Sequence, residues 1–370
     1  MSFVALIVGL TLAAIVLWDA FETVVLPRTI SRRIRLAALY LHGTWTTWKR
    51  IACSLTSEGR RERFLAIYGP LSLLGLVAVW AAGLILAFAV LQWSFGSQLT
   101  TPDRSRGGPA RFVDDLYMSG TTFFTIGLGD VHPFGTAARI LTAAEGGTGF
   151  AFLALVIAYF PVVYQAFSRR EVQLTLLDAW AGSPPSAAEV LRRLSTAGDL
   201  RPLDQFLRDW EYWCSELLES HISYPVLGYF RSQHQRQSWL SALSTMLDLS
   251  AIIEAGIEDV PRWQAHATFA IARHAAVDLS QVFHVRYDAS RDRLPRADLE
   301  HLREQLRAAG LRPQSSPDAD ARLEELRRSY EPYIAGLSEL LMMPVPSWWR
   351  AQPGRDNWQT SPKRDVGPHL

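Results

Sequence analysis

Six consecutive residues combine alternating glycines with hydroxyl and carboxylate side chains: Thr125, Ile126, Gly127, Leu128, Gly129 and Asp130. Glycine adopts left-handed backbone angles without the steric penalty that a Cβ atom imposes. Where left- and right-handed angles alternate, successive carbonyl oxygens point to one side, and several copies around an axis would stack these oxygens in rings. Such rings replace the hydration shell of a cation, so backbone carbonyls and the Thr125 hydroxyl are candidate cation ligands.

A short segment directly before these residues has the composition of a helix that would position them. Residues 112–124 are amphipathic at their start and apolar toward their end. Asp114 and Asp115 fall in the first turn, where the helix dipole favours negative charge. The partly negative C-terminal end of this helix would then point toward Thr125 and toward a bound cation.

Three stretches in the first half of the chain are nearly free of charged side chains. They are residues 3–18, which continue as a mostly apolar run to Leu26, residues 64–102 and residues 146–168. A helix of roughly 20 apolar residues crosses a bilayer core, where lipid offers backbone groups no hydrogen-bond partner. We therefore expect three membrane-spanning helices. A cleaved signal peptide is the alternative for the first stretch, but no basic leading region or small-residue cleavage site accompanies it.

Lysine and arginine are unevenly divided between the loops that join these stretches. Residues 27–63 carry nine Lys and Arg against two Glu, a formal charge of +7, whereas residues 94–136 carry three Arg against four Asp, a formal charge of −1. Basic loops stay on the cytoplasmic side. We therefore expect the N-terminus and residues 125–130 outside a plasma or inner membrane, and everything after Arg170 inside.

In this setting the six residues resemble the pore loop of potassium channels, whose filter commonly reads Thr-Val-Gly-Tyr-Gly-Asp. Leu128 replaces the aromatic residue, as in the second pore loop of some two-pore-domain potassium channels. The matching positions are Thr125, Ile126, Gly127, Gly129 and Asp130. The resemblance covers residues 64–170 and implies a potassium-selective filter, in which the carbonyls of residues 125–128 bind the ion.

The copy number of this signature bears on assembly. Only one copy is present in the sequence, so a four-fold pore implies a homotetramer rather than a two-pore dimer. One alternative is that the glycines form an ordinary extracellular turn. Another is a weakly selective or silent pore, because Leu128 cannot donate the hydrogen bond through which the family's aromatic residue anchors the filter.

The third uncharged stretch would supply the inner, pore-lining helix. By its distance from Asp130, Gly149 falls where inner helices of potassium channels carry a hinge glycine; close packing of a small-residue face is the alternative. Glu145 would line the cavity and attract cations, brace the filter from behind, or serve a plain structural role in the outer leaflet. Pro161 removes one backbone hydrogen bond, which predicts a kink and a gate there, unless it is accommodated without gating.

After residue 170 the chain has the pattern of a soluble helical domain. Apolar residues recur at three- and four-residue spacing, which predicts helices at 203–218, 239–257, 263–285 and 298–308. His274 and Asp278 lie four residues apart, and His266 and His284 are near in sequence; a surface ion pair is favoured over a metal site. Residues 210–213 indicate helix core or a ligand surface, and residues 322–328 a solvated face.

Together these observations predict an all-α membrane protein with three transmembrane helices, a re-entrant pore helix and filter loop, and an all-α cytoplasmic domain. The expected divisions are a first span at 1–26, a basic cytoplasmic loop at 27–63, a pore domain at 64–170, a helical domain at 171–343 and an extended or disordered tail at 344–370.

The expected activity is passive potassium conduction, with no enzymatic reaction and no cofactor besides the permeant ion. The net charge of +1, from 37 Lys and Arg against 36 Asp and Glu, excludes a strongly basic nucleic-acid binder. A membrane-anchored sensor or scaffold with a channel-like frame is the rival interpretation. In either case the cytoplasmic domain is a place where an unknown ligand or protein would act.

Overall fold

The computed structural model describes residues 2–26, 35–101, 111–196, 200–234, 236–258, 260, 262–287, 291–349 and 356–359. The chain divides into two compact units, Met1–Tyr164 and Gln165–Leu370. The boundary between them falls within one long helix, Thr136–Ala181.

Within its described residues, the first unit contains four complete helices, the larger part of a fifth and one small sheet. The helices are α1 (Phe3–Val24), α2 (Leu36–Ser54), α3 (Glu58–Ser94), α4 (Phe112–Phe123) and α5 (Thr136–Ala181), of which α5 continues into the second unit. Strands β1 (Leu99–Thr100) and β2 (His132–Pro133) pair antiparallel, with Leu99 opposite Pro133. Helices α1, α3 and α5 are long and apolar enough to cross a membrane by length and composition, which confirms the three expected spans.

Small residues let the first two spans pack closely. A Cβ atom on Gly9 of α1 would lie 2.8 Å from the Leu91 side chain, and one on Gly83 of α3 would lie 2.9 Å from Val16. Small residues at such crossings let helix backbones approach each other inside a membrane. A buried apolar cluster continues from this contact into the pore helix α4 and the inner helix α5; its members are Val16, Ala20, Ala37, Leu76, Trp80, Ala81, Leu84, Phe123 and Phe152.

Helix α2 lies inside the segment 27–63 that the sequence analysis treated as a loop, and α3 begins at Glu58 instead of residue 64. The Trp48 and Phe64 rings stack with centroids 4.3 Å apart, and Trp45 meets Tyr68 edge to face at 4.8 Å. Within α2 only Lys49 and Arg50 are Lys or Arg, so most of the basic residues of the segment 27–63 lie outside this helix. The nine-residue stretch 27–35 is described only at Arg35, which donates to Thr23.

Asp19 of the first span is buried, and its carboxylate joins three helices. It accepts a hydrogen bond from Trp80 Nε1 of α3 at 2.8 Å and from the backbone N–H of Ala37, in the first turn of α2, at 3.1 Å. Carboxylates at helix N-termini satisfy unpaired N–H groups. Asp19 therefore joins α1 to α2 and α3.

The second unit is helical throughout its described residues, apart from turns and a single bridge between Ile257 and Pro313. Its helices are α6 (Ala187–Thr196), α7 (Pro202–Ser223), α8 (Trp239–Gly256), α9 (Trp263–Val282), α10 (Arg296–Ala308), α11 (Pro317–Arg328) and α12 (Glu331–Leu341), with short 3₁₀ turns at Pro225–Tyr229 and Asn357–Gln359. The four predicted helices correspond to α7, α8, α9 and α10. The other three lie outside the predicted segments; α6 and α11 are short and rich in charge, whereas α12 is short and mostly apolar.

Central helix α8 is buried at nearly every position, and one of its carboxylates anchors a polar network. Asp248 accepts two hydrogen bonds from Arg293, at 2.7 and 3.0 Å, and one from Tyr330 at 2.6 Å. Arg327 bonds Glu331 and Asp292 in the same region, so the interpretation of residues 322–328 as a wholly solvated face was wrong. Bidentate pairing of this kind satisfies a carboxylate that burial would otherwise penalise.

Several remaining predictions about the second unit resolve in the structure. His274 and Asp278 form the expected ion pair at 3.0 Å, and no cluster of three metal-binding side chains occurs in the described parts of the chain. Trp210 and Trp213 are core residues, whereas Tyr212 is exposed. The described tail is packed in part: Trp348 is buried and Asp356 accepts from Arg193 at 2.6 Å, whereas Trp358 is exposed. Residues 350–355 and 360–370 lie outside the described residues.

Arg170 ties the C-terminal half of α5 to the rest of this unit. It is buried and donates to the carbonyl oxygens of Leu227 and Phe230, at 3.0 and 2.9 Å, and to Glu171 at 3.1 Å. It also donates to His221 Nε2, since burial and the nearby charge of Arg170 hold the pKa of His221 well below its usual range and leave the ring neutral.

We expect Arg170→Ala to destabilise the protein by about 3–5 kcal/mol, because removing one partner strands buried polar groups and a buried charge. The adjacent Arg169 is the matched control: it is exposed, and its contact with Glu216 is 3.9 Å long. Arg169→Ala should change stability by less than about 1 kcal/mol. Unfolding of the full chain in detergent, followed by tryptophan fluorescence, compares the two. Equal midpoints for both variants would refute the structural role of Arg170.

Candidate pore loop and the helices that position it

The backbone of the loop after α4 alternates in hand. Thr125, Gly127 and Gly129 have φ angles of +56°, +57° and +81°, with residues of ordinary φ between them. The glycines occupy two of the three left-handed positions, as the spacing predicts. Thr125 is a non-glycine residue in the left-handed region, a conformation that costs about 1–3 kcal/mol and is concentrated at functional sites.

Hydrogen bonds attach this loop to the end of the pore helix α4. The N–H of Thr125 donates to the Thr122 carbonyl at 2.9 Å, and the N–H groups of Ile126 and Gly127 both point to the Thr121 carbonyl, at 2.7 and 3.3 Å. The last carbonyls of a helix lack intrahelical partners. The loop therefore begins as a cap of α4, and its position depends on where α4 lies.

The far end of the loop is fixed by a side chain and by the small sheet. The Tyr117 hydroxyl of α4 donates to the two carboxylate oxygens of Asp130 at 3.1 and 3.3 Å. Two residues later, β2 pairs with β1, and the Phe134 N–H donates to the Gln98 carbonyl at 3.1 Å. The loop is thus held at both ends while its middle is free to face an axis.

The middle of the loop is exposed in the single chain. Ile126 and Leu128 are apolar side chains with 58% and 65% of their surface accessible. A Cβ atom on Gly127 or Gly129 would meet no atom within 4 Å. Both apolar side chains are therefore available to pack against another surface.

Gly149 of α5 lies where the inner helix crosses the end of α4. A Cβ atom there would lie 2.1 Å from the Phe123 carbonyl oxygen and 2.9 Å from its carbon. Phe123 and Phe152 also pack with ring centroids 5.5 Å apart. Gly149 therefore allows a backbone-to-backbone approach, as the close-packing interpretation requires, and the hinge interpretation stays a prediction.

Glu145 is buried, one turn toward the outer end of α5 from Gly149. Its carboxyl group is hydrogen-bonded to Ser119 of α4, and Ser119 also lies 2.7 Å from the Ile85 carbonyl oxygen of α3. Within this protomer Glu145 thus packs behind the pore helix, at the place where the bracing interpretation puts it. Pro161 lies inside α5, which continues as helix to Ala181, and its gating role stays a prediction.

Two polar contacts of the site were not found from the sequence. Nothing in the sequence singles out Ser119, because a serine in a short helix is ordinary. Its role becomes visible only when α5 packs beside α4. Tyr117 precedes Asp130 by thirteen residues, and only the return of the loop brings them together. A third contact, of Gln92, joins the C-terminal end of α3 to the N-terminal part of α5, because its side chain lies 3.2 Å from both the Ala138 carbonyl and the Thr142 hydroxyl.

Two spanning helices that flank a re-entrant helix and a carbonyl-lined loop define the class of ion-channel pore domains. Residues 75–166 comprise α4, the loop after it and parts of α3 and α5. They match the family model described as "Ion channel", which indicates an ion-channel domain in this segment. The family match covers neither α1 nor most of the second unit.

The chain is also similar to a curated bacterial protein. It is 22% identical over 214 residues to "Uncharacterized membrane protein YdjJ" of Bacillus subtilis strain 168. The alignment covers 58% of this chain and 61% of the relative's length. No solved structure matches. The comparisons therefore support a membrane protein with an ion-channel domain.

Proposed function

We propose that the chain assembles as a homotetramer and conducts potassium passively through a filter formed by residues 125–130. The observation that carries the proposal is the alternating hand of the backbone at Thr125, Gly127 and Gly129, directly after a helix whose C-terminus points into the loop. This geometry turns successive carbonyls to one side, and rings of carbonyls from several copies would replace a cation's hydration shell.

Four copies are proposed because one chain carries one such loop, and a closed ring of ligands needs several. The exposed Ile126 and Leu128 side chains in the protomer are consistent with coverage by neighbouring copies. The permeant ion is bound by backbone carbonyls of residues 125–128 and by the Thr125 hydroxyl. No other cofactor is proposed.

The proposed orientation follows the charge of the loops. The +7 segment at residues 27–63 lies on the cytoplasmic side of the cell membrane, and the −1 segment at residues 94–136 lies outside. The N-terminus is then outside and the second unit is cytoplasmic, where it assembles or regulates the pore.

A flux assay tests this function. Purified full-length protein in liposomes should pass potassium, with block by barium and much less sodium flux. Equal potassium and sodium fluxes would contradict selectivity and would favour a weakly selective pore with Leu128 in its filter. Absence of any flux would contradict conduction and favour the membrane-anchored sensor or scaffold.

A further inference from the structure

Three helices meet at one buried hydroxyl group behind the pore loop. Ser119 of α4 is fully buried, and its Oγ atom lies 2.7 Å from the Ile85 carbonyl oxygen of α3. The same oxygen is hydrogen-bonded to the carboxyl group of Glu145 from α5, which is 1% exposed. The outer helix, the pore helix and the inner helix are therefore joined through this side-chain pair.

The hydrogen atoms available to this group decide how it is bonded. A serine hydroxyl has one proton to donate, and a backbone carbonyl only accepts. If Ser119 donates to Ile85, the contact between Ser119 and Glu145 requires a proton on Glu145. A neutral carboxylic acid then completes a chain in which Glu145 donates to Ser119 and Ser119 donates to Ile85.

The surroundings of Glu145 favour the neutral form as well. Among the described residues, the structure shows no lysine, arginine or histidine paired with this carboxyl group. A buried carboxylate with a single hydroxyl donor is strongly disfavoured in an apolar environment. The neutral acid leaves every polar atom of the Ser119 hydroxyl satisfied, whereas the ionised form has two acceptors competing for one proton.

The position of α4 matters because the filter loop begins as its cap. Thr121, two residues after Ser119, accepts from the N–H groups of Ile126 and Gly127. A shift of α4 relative to α3 and α5 would therefore move the carbonyls that bind the ion.

We propose that Glu145 is a positioning residue that acts as an uncharged hydrogen-bond donor to Ser119, and thereby fixes the pore helix and the filter between the outer and inner helices. The inference rests on the proposed function, because its readout is ion selectivity. It assigns Glu145 the bracing role and excludes attraction of cations by a charged carboxylate.

The test compares four variants of the full-length protein in liposomes: Glu145→Gln, Glu145→Leu, Ser119→Ala and Ser72→Ala. Glutamine keeps a donor and removes the charge, whereas leucine keeps comparable bulk without a donor. Ser72 is the matched control, because its hydroxyl is also buried but bonds only the Gly69 carbonyl of its own helix. The readout is the potassium-to-sodium permeability ratio from reversal potentials, together with the assembly state by size exclusion.

Glu145→Gln and Ser72→Ala should keep the wild-type ratio within about twofold. Glu145→Leu and Ser119→Ala should each lower the ratio about tenfold, the order of magnitude of one buried hydrogen bond. Their double variant should be no worse than the worse single variant, because both changes remove one interaction.

An unselective or silent wild type would contradict the proposed function itself. Failure of the positioning role of Glu145 would instead be seen in the variants of a selective wild type. With a selective wild type, unchanged ratios in Glu145→Leu and Ser119→Ala would overturn the positioning role. A Glu145→Gln variant as impaired as Glu145→Leu would overturn the uncharged-donor role. If Glu145→Leu does not assemble, the ratio of Ser119→Ala against Ser72→Ala decides the positioning role.

Discussion

Gly127→Ala is expected to abolish potassium flux while the chain still folds and assembles. Gly127 has a φ angle of +57°, where an L-residue with a Cβ atom costs roughly 1–2 kcal/mol. In a tetramer the substitution occurs four times around one axis, which gives on the order of 4–8 kcal/mol against the left-handed conformation. The residue would leave that region, and its carbonyl would turn away from the axis.

The measurement is potassium flux per reconstituted channel, and we expect a loss on the order of a hundredfold or more, since each 1.4 kcal/mol is about tenfold in an equilibrium. Gly43→Ala is the matched control, because Gly43 is helical and a Cβ atom there would meet no atom within 4 Å. Full flux in Gly127→Ala would contradict the filter. A channel should lose flux and keep its assembly and partner binding, whereas a sensor or scaffold with a channel-like frame should lose nothing.

Gly149→Ala is expected to be the most damaging single-methyl addition in the inner helix. The new Cβ atom would lie 2.1 Å from the Phe123 carbonyl oxygen, and this neighbour is backbone, which cannot turn aside as a side chain would. Overpacking of this kind costs about 1–3 kcal/mol or more. Helices α4 and α5 must separate, and the filter moves with α4.

A second glycine in the same cluster supplies the control for this prediction. A Cβ atom on Gly147 would meet nothing within 4 Å, so Gly147→Ala should keep stability and flux. Thermal melting in detergent and potassium flux should both fall for Gly149→Ala alone. If Gly149→Ala melts like the wild type and changes only opening probability, the hinge interpretation is favoured over close packing.

The filter loop was predictable from sequence because its chemistry is local. Left-handed angles at Gly127 and Gly129 follow from residue type alone, and the length of α4 follows from the apolar segment before Thr125. The three spans could equally be predicted from the sequence, because a long run of residues without charge is typical of a membrane-spanning helix.

The contacts that hold the loop in place were not predictable, because they join residues far apart in the chain. Ser119 and Glu145 are twenty-six residues apart, and Arg170 reaches carbonyls nearly sixty residues away. Helix α2 was missed for a different reason: the prediction of a cytoplasmic loop rested on the basic charge of the whole segment 27–63, and most of that charge lies outside the helix. Likewise, the hydrogen bonds from Trp80 and Ala37 to Asp19 depend on the packing of three helices.

In the proposed function, residues 125–130 of four chains surround one ion pathway. The most direct test is an experimental structure of the full-length protein in lipid nanodiscs with potassium present. We expect four chains around one axis, with ion density at successive rings of carbonyl oxygens from residues 125–128. A monomer or dimer, or a tetramer whose axis at Thr125 and Gly127 is closed and empty in potassium, would contradict it.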